Sequence, residues 1–250
     1  MRIAFITDPH IGAHGEKPQG VDVRRNFLDA LAFLPEIKPN GLVIGGDICK
    51  QTGDRATYKW VKEQLDKLPF PYYVIAGNHD DSVMMAEVFN RTHDLRGTEL
   101  YYALPLEGRP VLFLDTAKGE MSPEQWTWLR EYVAALRHNN LLVFMHHPPM
   151  RADVMYMDQH DPFRQSDEFY DLVKDLTCHI VVVCGHYHVE KTVQRSNLLA
   201  LITPSTYLQM KHDPPSVVID NYGIAVREIN LTSHGTNSTV HYINLAKTIG

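Results

Sequence analysis

Five short apolar runs in this chain each stop at a cluster of Asp, Asn, Gly or His, and that repeated ending narrows the possible folds sharply. Arg2–Thr7 ends at Asp8-Pro9-His10, and Gly41–Gly45 ends at Gly46-Asp47. Tyr72–Ala76 ends at Gly77-Asn78-His79-Asp80, and Leu141–Met145 ends at His146-His147-Pro148-Pro149. His179–Cys184 ends at Gly185-His186-Tyr187-His188. Short apolar runs bounded by turn residues read as strands; Arg2–Thr7 alternates, and Gly41–Gly45 reads as a short buried strand.

Helical patterns fall between them. Phe27, Leu28, Leu31 and Leu34 recur at helical spacing within 21–34, and Asp54 is placed to cap a helix over 54–68. Ser82–Asn90 reads as a short helix, and Ser166–Leu176 as another. Ser122-Pro123-Glu124-Gln125 has the form of a capping box opening a helix to about Arg137. Leu100–Leu104 and Pro110–Asp115 flank Glu107-Gly108 as a hairpin would. Beyond Cys184 only short β-like runs follow. Residues 151–164 lack clear periodicity and directly follow a His cluster, which predicts an ordered surface loop near the chemistry. Strands alternating with helices predict α/β layers.

Composition excludes several classes. With 250 residues, 44% hydrophobic and 22% charged, the chain can bury a sizeable core and fits one large domain. Lys plus Arg number 24 against 30 Asp plus Glu, a net charge of −6 with no basic stripe, so no nucleic-acid polymer is expected as partner. Cys49, Cys178 and Cys184 are an odd set beside apolar runs, which reads as small buried hydrophobes in a reducing compartment. The first apolar stretch is too short for a signal peptide, and no run approaches the ~18–20 residues of a membrane span. A cytoplasmic location without a membrane partner is expected.

In layered α/β folds, sites form beyond the carboxyl ends of strands. If the five strands lie side by side, their clusters meet at one edge. Imidazole and carboxylate donors without thiolate suit Zn, Mn, Fe, Co or Ni. The donor set is too long for one ion, and a pair ~3.5–4 Å apart is a common device for attack at phosphorus. Taken singly, each of these residues is an ordinary turn or cap residue; the joint pattern is what points to metal. Gly45-Gly46 is not a phosphate loop, because the spacing to Lys50 and the missing Ser/Thr fail that pattern. Arg24 and Asn26 read as helix-face residues, Trp126 and Trp128 as packing. His14, His93, His138, His179, His234 and His241 belong to no motif.

The motif order D-x-H, G-D, G-N-H-D, H-x-P, G-H-x-H, carried by Asp8/His10, Gly46/Asp47, Gly77–Asp80, His146/Pro148 and Gly185–His188, resembles the calcineurin-like metallophosphoesterases. Asp158-Gln159-His160, Thr203-Pro204-Ser205-Thr206 and the capped helix after Glu120-Met121-Ser122 are similar to the class III cyclic nucleotide phosphodiesterases and the nearby glycerophosphodiesterase branch. This extends the likeness to about Lys211; from Asn230 onward nothing specific is matched.

The resemblance implies a four-layer α/β/β/α sandwich of two mixed sheets, with a catalytic domain over 1–229; residues 230–250 are expected to form a β-like extension for packing or oligomerisation. It implies one metal held by Asp8, His10, Asp47 and His188, and a second held by Asp47, Asn78, His146 and His186, with Fe, Mn, Zn or Co all open. The implied reaction is hydrolysis of a small phosphodiester by in-line attack of a hydroxide shared between the ions. A 3′,5′-cyclic nucleotide such as cyclic AMP is the first choice of substrate and a glycerophosphodiester the alternative. His79 is the candidate to stabilise or protonate the leaving oxygen, with Asp80 orienting it. Asn78, His79, His147 and His160 are candidate substrate contacts; for His147 a place behind the ligands, and for His160 and His212 a surface role, are the competing readings. A DNA exonuclease of the same superfamily would want a basic groove, and a non-catalytic scaffold would lack ligands that are all present here. A homo-oligomer is expected by analogy with relatives.

Overall fold

The computed structural model describes residues 1–136, 140–232 and 235–243; His138 and His234 lie outside them. The first half of the chain runs β1 (Arg2–Ile6), α1 (Val23–Ile37), β2 (Gly41–Ile44), α2 (Arg55–Leu65), β3 (Tyr72–Val74) and α3 (Ser82–Val88). Then come β4 (Leu95–Arg96), β5 (Glu99–Leu100), β6 (Tyr102–Leu106), β7 (Arg109–Phe113), α4 (Pro123–Ala135) and β8 (Leu141–Phe144). The rest is α5 (Met155–His160), α6 (Ser166–Val173), β9 (Ile180–Cys184), β10 (Lys191–Arg195), β11 (Leu198–Ile202), β12 (Gln209–Met210), β13 (Ile219–Asn221), β14 (Ile224–Thr232) and β15 (Gly235–Ile243).

Two mixed sheets result. One has the order β15-β14-β1-β2-β3 and the other β10-β11-β9-β8-β7-β6. Their centres are parallel, β1 with β2 and β3, and β7 with β8, β9 and β11. Antiparallel strands close three of the four edges, at β15, β10 and β6, the last being the expected hairpin of β6 with β7, turned at Glu107-Gly108; the fourth edge is the parallel strand β3.

Alternation along the strands decides which layer each side chain joins. Leu142, Phe144, Val181 and Val183 turn toward Phe5 and Val43 of the first sheet, and Phe5 stacks on Phe144 at 5.6 Å. Leu141, Val143, Ile180 and Val182 turn the other way, onto Trp126 and Leu129 of α4 and Phe169 and Val173 of α6. Phe27, Ala30, Leu31 and Leu34 of α1 cover the outer face of the first sheet. The layers are therefore helix, sheet, sheet, helix, as the resemblance implies. Strands buried on both faces are why these segments read as unbroken apolar runs. All three cysteines are buried and unpaired.

Three expectations are corrected. The capping box at Ser122 is only half made: its hydroxyl accepts from Gln125 N, but Gln125 turns its amide to Glu99 and to the backbone of Asp115, and Glu99 takes the Ser122 N–H instead. A buried carboxylate beside the cap outcompetes the reciprocal bond. Residues 151–164 are not loop throughout, since they contain α5. Asp158 accepts from Ala152 N, Val154 N and the Tyr187 hydroxyl, which ties this helix down without a long apolar repeat. Residue 230 lies inside β14, which pairs with β1, and β15 pairs with β14, so residues 230–232 and 235–243 continue the first sheet rather than starting beyond it.

Candidate metal centre

The loops after β1, β2, β3, β8 and β9 converge at one end of the sandwich. Asp8 N donates to Gly46 O and His10 N to Asp47 O, which zips the first two loops together, and Gly185 N donates to His146 O across the second sheet. Asp8, His10, Asp47, His186 and His188 all adopt left-handed backbone, with φ from 44° to 66°. Such a conformation costs a non-glycine residue about 1–3 kcal/mol and persists only where surrounding contacts enforce it. Here they do: Ser205 Oγ donates to the Asp8 carbonyl at 2.8 Å, and Met210 N to the His188 carbonyl at 2.9 Å. The motif glycines are there for room. A Cβ on Gly77 would lie 2.2 Å from Asp47 Oδ1, and one on Gly185 would lie 2.1 Å from Thr7 Oγ1 and 2.4 Å from Asp8 Oδ2.

Four of the inward histidines are pinned by backbone carbonyls. His146 Nδ1 donates to Gly45 O at 2.8 Å, His188 Nδ1 to Leu208 O at 3.0 Å, His79 Nδ1 to Gln51 O at 3.0 Å and His186 Nε2 to Asp161 O at 2.9 Å. A carbonyl can only accept, so these nitrogens carry the protons and the opposite ring nitrogens are left as bare donors toward the interior. This is the outer-layer arrangement that metal-binding imidazoles usually have.

The carboxylates are oriented just as firmly. Asp8 accepts from Thr7 Oγ1 at 2.6 Å and from His186 N at 3.0 Å. Asp47 Oδ1 accepts from His79 N at 2.9 Å, leaving Oδ2 at 3.6 Å from His10 Nε2, 3.4 Å from His146 Nε2 and 3.9 Å from His79 Nε2. His188 Nε2 lies 3.4 Å from Asp8 Oδ1 and 3.1 Å from His10 Nε2. Donor atoms within 4.8 Å of one another group as Asp8, His10 and His188, as Asp47, His146 and His186, and as His10, Asp47 and His79. Asn78 Oδ1 and His146 Nε2 are buried with no hydrogen-bond partner.

Electrostatics point the same way. Burial pushes the His10 and His186 imidazoles down to about 4, so both are neutral at ordinary pH, the form that binds a cation. Burial pulls His146 down as well, but Asp47 and Asp8 outweigh it and lift the ring to about 10. Burial likewise raises Asp8, but His188 and His146 overcome it and hold the carboxyl down at about 2. A bare nitrogen facing two carboxylates in a dry pocket thus calls for a cation, and a proton on His146 takes that place when nothing else does. The donor set fits metal ions.

The structure brings Asp8, His10, Asp47, Asn78, His79, His146, His186 and His188 together. Asp80 is adjacent but does not orient His79. Its carboxylate accepts from Ile48 N, Cys49 N, Gly77 N and the Tyr58 hydroxyl, and so staples the β2 and β3 loops; Gln51 O holds the imidazole instead. Burial and the nearby Asp47 raise the Asp80 carboxyl to about 6. His147 is fully buried behind His186, ring centroids 4.1 Å apart, with Nδ1 against Thr116 Oγ1, and does not line the cleft. His160 is exposed, stacked on Tyr156 and outside the cleft; Met157 and Asp161 of the same segment reach it instead. Residues that the motifs alone do not reveal are Thr7, Gln51, Asp161, Ser205 and Leu208. Four of them act wholly or partly through backbone atoms or as neighbours of a carboxylate; only Ser205 had a signal, the Thr203–Thr206 run.

Over the Asp/His cluster opens a cleft of about 410 Å³, within the range of small-molecule sites. No helix among the described residues is long and apolar enough to cross a membrane.

Comparison with known proteins agrees with this geometry. The chain is 32% identical over 214 residues to a Fibrobacter succinogenes protein named probable cyclic nucleotide phosphodiesterase, covering 86% of this chain and 82% of that one. It is 25% identical to the probable glycerophosphodiester phosphodiesterase GpdQ of Arcobacter nitrofigilis, over 94% and 92% of the two chains. The GAP50 anchor of the Plasmodium inner membrane complex shares the fold, with TM-score 0.62 at 12% identity over 96% of this chain and 84% of that one. A family model described as calcineurin-like phosphoesterase matches residues 1–190, a span that includes every one of the five strand-end clusters, and the chain belongs to that family.

Proposed function

We propose that this protein hydrolyses a small phosphodiester, with a 3′,5′-cyclic nucleotide such as cyclic AMP as the preferred substrate, and that two metal ions complete its site. The observation that carries this reading is the His146 Nε2 atom, buried and unpartnered between Asp47 and Asp8. The named activities of the Fibrobacter and Arcobacter relatives, on cyclic nucleotides and on glycerophosphodiesters, support the substrate class.

Asp8, His10, Asp47 and His188 would hold one ion, and Asp47, Asn78, His146 and His186 the other, with Asp47 common to both sets because its carboxylate faces donors of both groups. When bound, the ions supply positive charge against the anionic phosphodiester and make water acidic enough to act as nucleophile near neutral pH. Fe, Mn, Zn and Co all suit these donors. His79 stands at the cleft with its side chain one-third exposed. Its Nδ1–H is committed to Gln51 O, so Nε2 must carry a second proton if the ring is to hand one to the leaving alkoxide. Asp80 fixes the loop that aims His79. His186 keeps its orientation through Asp161, and His188 through Leu208.

The test is metal analysis and a kinetic panel with added Mn: cyclic AMP, cyclic GMP, glycerophosphoethanolamine and a simple monoester. Cyclic nucleotide turnover that vanishes together with bound metal in Asp47→Ala is the expected result. A variant that keeps full metal and full activity would refute the assignment.

A further inference from the structure

The cleft over the metal cluster has two unlike flanks. One is apolar: Tyr207, Leu208, Met210, Val217 and Ile219, carried by β12, β13, the residues just before β12 and the segment between the two strands. The other, at Lys50 and Gln51, opens into a polar recess of about 390 Å³ that also holds His14, Glu16 and Arg24. Val217 is 54% exposed, one of only four large hydrophobic side chains among the described residues left so open, and of those four it alone lines the cleft. An apolar side chain left open at the mouth of a cleft suits an apolar ligand group.

This shelf is tied to the metal-ligand cluster. His188 donates Nδ1–H to Leu208 O, and Met210 N donates back to His188 O. The Tyr207 ring lies against His10, centroids 5.4 Å apart. Whatever is held by the His10 and His188 end of the cluster therefore has the shelf as its immediate neighbour. In a 3′,5′-cyclic nucleotide the base is separated from phosphorus only by the fused ribose ring, so a phosphate seated on the cluster carries its base within reach of this shelf. The chain of a glycerophosphodiester is polar and flexible and gains little from it.

We infer that the β12–β13 shelf, through Tyr207, Met210 and Val217, receives the nucleobase and sets the preference for nucleotides over glycerophosphodiesters. This rests on the phosphodiesterase reading above, so the test separates the two. The Mn-loaded protein is titrated by calorimetry with adenosine 5′-monophosphate and with glycerol 3-phosphate, which share a phosphate monoester and differ in what it carries. Tighter binding of the nucleotide by about tenfold or more is expected, the discrimination one well-filled apolar pocket provides. Val217→Asp, at an exposed site, and Tyr207→Leu should shrink that margin severalfold. In turnover, the ratio of kcat/KM for cyclic AMP over glycerophosphoethanolamine should fall by the same factor, through KM. Equal affinity for the two monoesters in the unaltered protein, or an unchanged margin in both variants, overturns the shelf whatever the turnover shows. A nucleotide margin that is present and sensitive to Val217, in a protein that hydrolyses neither diester, would sustain the shelf and overturn the phosphodiesterase reading.

Discussion

Replacing Gly185 by Ala tests whether the tight packing beneath the cluster is what makes it bind metal. The new Cβ would meet Thr7 Oγ1 at 2.1 Å, Asp8 Oδ2 at 2.4 Å and Thr7 Cγ2 at 2.8 Å, all well inside van der Waals contact. None of these atoms is the free end of a flexible chain, because Thr7 Oγ1 and Asp8 Oδ2 are hydrogen-bonded to each other and Asp8 also accepts from His186 N. Relieving the clash must break the charge-assisted hydrogen bond, worth about 1.5–3 kcal/mol, or strain the surrounding core by about 1–3 kcal/mol. A loss of roughly 1–3 kcal/mol lowers Tm by about 2–12 °C in a chain of this size. Since Asp8 is the displaced group, metal affinity should fall at least ~10–100-fold, the usual effect of disturbing a ligand's support. Gly97→Ala is the control: its φ of +60° strains an alanine, but no atom lies within 4 Å of the added carbon. It should cost about 1 kcal/mol and leave metal affinity alone. Thermal unfolding and competitive metal titration of both variants give the answer. Unaltered metal affinity in Gly185→Ala would show that Asp8 is not held where the cluster needs it, and the argument from close packing would fail.

Other expectations follow from the same contacts. His79→Ala should keep its metal content and lose about 10²–10⁴-fold in rate on substrates with poor leaving groups, with much less loss on p-nitrophenyl esters; equal losses on both would exclude proton donation. In metal-free protein, the folded pKa of His146, about 10, lies above its ordinary 6.5. The stability this contributes is therefore complete below 6.5 and disappears as pH rises through 10, whereas metal affinity improves over the same range because the metal displaces that proton. Tm of apo and metal-loaded protein across pH 6 to 10 should diverge, and parallel curves would contradict the His146 assignment. Arg227 on β14 is buried and donates to Thr203 Oγ1 and Ile202 O at the end of β11 and to Ser238 Oγ on β15, joining the two sheets. Arg227→Met leaves those acceptors unpaired and should cost about 2–4 kcal/mol in denaturant unfolding; a change under about 0.5 kcal/mol, the size of an ordinary surface substitution, would mean water replaces the guanidinium.

Much of this molecule was legible in its residues because the central strands are buried on both faces. Such strands must be apolar throughout, so Leu141–Phe144 and Ile180–Cys184 stand out without any alternation, and the polar clusters that follow mark their ends. The candidate metal-ligand set was legible for the same reason, since its residues sit at strand ends and strand ends are visible. That Asp8, His10, Asp47, Asn78, His146, His186 and His188 form one group was implied by the resemblance their motif order carries, and the structure brings them together. What holds them is another matter. The carbonyls of Gly45, Gln51, Asp161 and Leu208 set the tautomers, and a backbone atom has no residue type to read. Asp80 looked like a partner for its neighbour His79, but adjacent residues on a turn point apart, and three backbone N–H groups claimed it first. His160 shared a motif with Asp158, yet α5 turns one inward and the other to solvent. Sequence determines which atoms can bind a metal, because that is a property of the side chain. Tertiary structure decides which nitrogen faces inward and which apolar groups flank the cleft, because those depend on contacts between segments far apart along the chain.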